Sequence, residues 1–117
     1  MPARLKVLTP DQLAAAAAAP DTKALVKHYL AVLEQRAPGR SVEVRVPPFA
    51  AVQVVPGVRH TRGTPPAVVE MDAETWLALA TGRMTWYQAI DDGVVVASGE
   101  RTDLSPYLPL GAPGDGQ

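Results

Sequence analysis

The chain has no cysteine, no asparagine, a single isoleucine and a single phenylalanine in 117 residues. Without cysteine there is no disulfide framework, no thiolate metal site and no thiol nucleophile. A basic excess is also lacking, since 11 Lys and Arg face 12 Asp and Glu. That balance excludes a nucleic-acid binder working through a strong positive field, and no polybasic patch marks a membrane surface. Long apolar runs are missing too. The N-terminal MPARLKVLTPDQL lacks the h-region of a secretory leader. Ala14–Ala19 falls far short of the roughly 20 residues that span a bilayer. A cytoplasmic chain with no stable membrane insertion is the expectation, organised as a single domain over 1–110 with a flexible tail at 111–117.

What remains is 19 Ala, 15 Val and 12 Pro. Small side chains fill little volume, so the larger apolar residues become informative. Both tryptophans and two of the three tyrosines fall within Met71–Tyr107. Any core or cavity must draw heavily on that stretch.

Local signals divide the chain cleanly. Thr9-Pro10-Asp11-Gln12 combines an N-cap, a Pro at the first helical position and a capping box, predicting a helix over Pro10–Ala19. Pro20 ends it and Asp21 caps the next. Leu25, Val26, Tyr29, Leu30 and Leu33 recur at helical spacing from Thr22 to Arg36, with Lys23, Lys27, Glu34 and Arg36 turned mainly to water. Ser41–Val46 alternates strictly and reads as a half-buried strand. Pro47-Pro48 puts the following backbone at an edge or in a connection. Ala50–Val55 and Ala67–Met71 are further strands, and Val58–Arg62 extends the ladder.

Asp72 caps a helix carrying Trp76, Leu77 and Ala80, which Gly82 stops. Thr85 and Gln88 form a second capping box opening a short helix, Trp86–Ile90. Asp92-Gly93 turns into Val94–Ala97, an apolar run suited to a sheet interior, and Thr102 or Asp103 caps a last turn through Leu104, Tyr107 and Leu108. Helices segregated from a largely antiparallel sheet make a two-layer α+β domain.

Chemistry-bearing constellations are scarce. His28 and His60 are the only histidines, and neither sits at metal-ligand spacing from carboxylates or from the other. Ser41, Ser98 and Ser105 lack a nucleophile elbow. Asp91 and Asp92 before Gly93 read as turn chemistry rather than a catalytic pair. The basic loop Arg59–Thr64 has no phosphate-cradling glycine pattern. No enzyme, no metal and no cofactor is expected. The apolar group Trp76, Leu79, Met84, Trp86, Tyr87, Ile90, Leu104, Tyr107 and Leu108 comes from three short helical pieces that can either fill a core or line a pocket.

The run Val68–Glu100, VVEMDAETWLALATGRMTWYQAIDDGVVVASGE, resembles the signature half of sterol carrier protein type 2-like domains. It shows the order of strand, acid-capped helix, Thr81-Gly82-Arg83 stop, short amphipathic helix, Gly turn and strand ending in Ser98-Gly99. It is most similar to the short bacterial, actinobacterial-type branch. The resemblance implies a sheet of about five strands, mostly antiparallel, with helices on one face and an apolar tunnel between. It implies non-catalytic carriage of a fatty acid, acyl-CoA or sterol-like lipid, with those nine apolar residues as the pocket candidates. Arg83 is a candidate partner for a carboxylate or phosphate head, or a cation placed against the helix C-terminus. The Ala-rich first helix, Pro47-Pro48 and the short C-terminal segment depart from the family's pattern. An accessory or protein-interaction module with a filled core is the alternative, and a homodimer through an exposed tryptophan face is a further option.

Overall fold

A computed structural model describes residues 5–57 and 67–111. The elements are α1 (Pro10–Ala18), α2 (Thr22–Arg36), β1 (Val42–Val46), β2 (Ala50–Val54), β3 (Ala67–Met71), α3 (Ala73–Thr81), α4 (Trp86–Asp91) and β4 (Val95–Ser98), followed by a 3-10 turn at Ser105–Tyr107. The expected extra strand at Val58–Arg62, the basic loop, His60 and the tail beyond Gly111 lie outside the described residues.

The class is α+β, but the sheet differs from expectation. It has four strands in the order β2-β1-β3-β4 among the described residues, and it is mixed. β1 pairs antiparallel with β2, parallel with β3, and β3 pairs antiparallel with β4. The sequence pattern could not reveal the parallel pair, because it joins strands that are not neighbours in the chain.

Alternation then builds the core. In the register Val42↔Val54, Val44↔Val52 and Val44↔Val69, one face collects Val42, Val44, Val46, Val52, Val54, Val69 and Met71, all buried. They form a single apolar cluster with Val26, Tyr29, Leu30 and Leu33 of α2 and with Trp76 and Leu79 of α3. α2 packs on β2 and on α3, and α1 packs on α2. The opposite face carries Arg45, Ala51, Gln53 and Val96, all exposed, with a surface ion pair between Arg45 and Glu43.

β4 is a correction to the sequence reading. It runs from Val95 to Ser98 at the edge of the sheet among the described residues rather than in its interior, and only Val95 is buried. Its register with β3 (Met71↔Val95, Glu70↔Val96) sends Val96 to the uncovered face, where it is 68% exposed. Three consecutive valines look like an interior strand, yet a pleated edge strand buries only alternate residues.

Candidate functional site

The corner beyond α3 is built by caps and stops. Asp72 accepts from Thr75 N at 2.8 Å, and the Thr75 hydrogen bonds hold its carboxyl below the ordinary value of 3.8. The helix so started places Trp76 and Leu79 wholly inside the core. Trp76 also donates its indole N–H to the Val26 carbonyl at 3.4 Å, tying α3 to α2. Gly82 ends the helix at φ 83°, a left-handed conformation that a Cβ would strain. The chain then curls back, with Arg83 N and Met84 N both donating to Ala78 O at 2.8 and 3.2 Å. Thr85 and Gln88 close the expected capping box at 3.1 and 2.8 Å, which fixes α4 one short turn away.

A third wall comes from the end of the chain. Leu104 and Leu110 are fully buried anchors on either side of the exposed or half-buried segment 105–109. Leu110 N and Gly111 N donate to Ala80 O at 2.7 and 3.2 Å, and Arg36 Nη1 donates to Pro109 O at 2.9 Å and Tyr107 O at 3.4 Å. Leu104, rather than the expected Thr102 or Asp103, holds the cap position of the last turn, and Asp103 instead accepts from Ser105 N at 2.9 Å. Tyr87 OH and Ser105 Oγ meet at 3.3 Å, linking α4 to this segment.

Between these walls lies a half-open crevice of about 290 Å3, lined by Leu79, Gly82, Met84, Thr85, Trp86, Tyr87, Ser105, Leu108 and Pro109. Five of the nine candidates from sequence therefore share it: Leu79, Met84, Trp86, Tyr87 and Leu108. The other four do not line it. Trp76 and Leu104 are core residues with no exposure, Ile90 faces solvent, and Tyr107 is half-buried against the core. The location also differs from the expected tunnel between sheet and helices. No strand residue lines the crevice, and the described side chains between sheet and helices belong to one packed apolar cluster.

Sequence reasoning missed Ser105 and Pro109 as wall residues, and it missed the Arg36 clamp. Thr85 was legible only as a cap. Helical spacing turns Arg36 to water, and it is exposed, but its guanidinium reaches carbonyls more than 70 positions away. Nothing local in the sequence signals such a contact.

Other candidates resolve into structural roles. His28 is buried, accepts from Leu8 N at 2.9 Å through Nδ1, and stacks edge-on against Tyr29 with centroids 4.7 Å apart. Burial pushes its pKa below the ordinary 6.5, so it is a neutral tie between the N-terminal segment and α2. Asp91 and Asp92 are exposed at the end of α4. Arg83 is exposed, and its Nε donates to Thr81 Oγ1 at 3.1 Å, so it does not line the crevice. Among the described residues, no group of three His, Asp or Glu could hold a metal ion, and no helix is long and apolar enough to cross a membrane. Both tryptophans are buried, so the exposed tryptophan face considered for a homodimer does not exist.

A family profile described as a bacterial SCP ortholog matches residues 19–110. The chain belongs to this family. The match covers well over half the chain and leaves α1 outside, which agrees with the Ala-rich first helix being a departure from the family pattern. No curated protein matches the chain.

Proposed function

We propose that this bacterial SCP ortholog is a non-catalytic, cytoplasmic binder of a small apolar molecule, held in the crevice between the α3–α4 turn and the C-terminal segment. One observation carries the reading: a preformed crevice walled by Leu79, Met84, Trp86, Tyr87, Leu108 and Pro109, with only a few hydroxyls as polar groups. A concave, mostly apolar space with sparse, fixed polar atoms is the usual form of a small-molecule site. Its volume of about 290 Å3 is at the small end of that class, so it suits one short chain or a small ring system.

Burying about 250 Å2 of apolar ligand surface supplies roughly 6 kcal/mol before association costs, so affinity of micromolar order or weaker is expected. Residues 1–110 act as one binding unit in this reading. The test is to extract the purified protein for mass spectrometry and to titrate short-chain amphiphiles while following melting temperature. Co-purifying lipid, or a saturable rise in melting temperature, supports the reading. A protein with neither is no carrier.

The exposed apolar side chains Tyr87, Ile90, Val94 and Val96 favour a second reading, an accessory module that docks on a protein partner. It predicts that Ile90→Asp and Val96→Asp abolish complex formation while leaving ligand titrations unchanged.

A further inference from the structure

We infer that the crevice selects neutral molecules ending in a hydroxyl or carbonyl over carboxylates of the same chain length. This rests on the reading of the crevice as an apolar binding site and names the head group it takes. The polar side chains on its wall are Thr85, Tyr87 and Ser105, and none of the described lining residues is charged. Tyr87 OH and Ser105 Oγ bond to one another at 3.3 Å. Whichever donates, the other keeps its hydrogen, and lone pairs remain on both. The pair can therefore donate to and accept from a neutral head group.

The charged group bonded closest to this pair is a carboxylate, the wrong sign for an anion. Asp103 Oδ1 accepts from Ser105 N at 2.9 Å, which sets a carboxylate at the same end of the crevice. Neither neighbouring cation lines the crevice: Arg83 Nε donates to Thr81 Oγ1, and Arg36 Nη1 donates to the Tyr107 and Pro109 carbonyls. A carboxylate drawn into the crevice would lose water, meet no charged side chain among the described lining residues and have the Asp103 carboxylate nearby as a like charge. A hydroxyl or ester loses far less water and regains a hydrogen bond. The acyl-chain acids that the family resemblance implies as cargo are thus disfavoured here in their ionised form.

The experiment titrates the full chain with decan-1-ol, methyl decanoate and decanoate at about pH 8, where the acid is ionised. Decanol and methyl decanoate are expected to bind at least about tenfold tighter than decanoate. Asp103→Asn keeps an acceptor for Ser105 N but removes the charge, so it should narrow that gap by improving decanoate. Decanoate binding as tightly as decanol, or methyl decanoate binding as weakly as decanoate, overturns the selectivity while leaving the crevice an apolar site. If none of the three binds, the crevice reading itself fails and this inference goes with it.

Discussion

The two tryptophans sit ten positions apart in one stretch, and the fold treats them differently. Trp76 has no exposed surface and a protein acceptor for its indole N–H, and it joins α3 to α2 in the middle of the core. Trp86 is also buried, yet it borders open space, and its N–H has no acceptor among the described residues. The first packs between two helices over a sheet. The second packs against a turn and a strap that meet it incompletely. Aromatic content therefore says how much volume is available to a region, while the partners decide whether that volume is closed.

The sharpest way to break this comparison is truncation. Trp76→Ala should cost about 3–5 kcal/mol of unfolding free energy in urea melts, because a core cavity opens and the Val26 carbonyl loses its donor. Trp86→Ala should cost clearly less and should remove ligand-induced stabilisation. Equal losses at the two sites would mean that the crevice is as tightly packed as the core. Next in size is Gly82→Ala, where the left-handed φ of 83° should cost about 1–2 kcal/mol. The nearest atom to the new methyl is Pro109 Cβ at 3.5 Å, an ordinary contact. The loss should therefore come from backbone strain, and Gly82→Asn should recover part of it.

Much of this corner was legible because it is local. Asp72, the Thr85–Gln88 box and Gly82 each act within four residues, so their spacing in the chain states their geometry. Ser98-Gly99 belongs to the same class for a different reason. A Cβ at Gly99 would lie 2.8 Å from Ala67 Cα, so the end of β4 can approach β3 only as glycine. The parallel β1–β3 pair, the edge position of β4 and the Arg36 clamp were not legible. Each depends on which distant segment arrives alongside, and alternation or helical spacing is blind to that. The nine-residue apolar group divided between core and crevice for the same reason. Periodicity shows which side chains share a face, and only the C-terminal segment decides which of them stay uncovered.

Smaller effects probe the frame around the two tryptophans. Asp72→Ala removes the α3 cap and should cost about 1 kcal/mol. Because the folded carboxyl titrates below its ordinary 3.8, that contribution is present above this pH and lost as pH falls through the folded value. Wild type and Asp72→Ala melts should therefore converge in strong acid. His28 gives the smallest signal, in a milder range. Its folded pKa lies below 6.5, so the unfolded chain binds more protons just below neutrality. Its contribution is complete above 6.5 and declines as pH drops toward the folded value. His28→Gln should flatten that slope, and a slope that persists in the variant would assign it to another group.

The central claim is that the corner around Trp86 is an open binding site while the core around Trp76 is closed. Fluorescence titration of decan-1-ol into two single-tryptophan proteins, Trp76→Phe and Trp86→Phe, tests it directly. The account predicts a saturable emission shift from Trp86 in the first protein and no response from Trp76 in the second. A response confined to Trp76, or none from either, would contradict it.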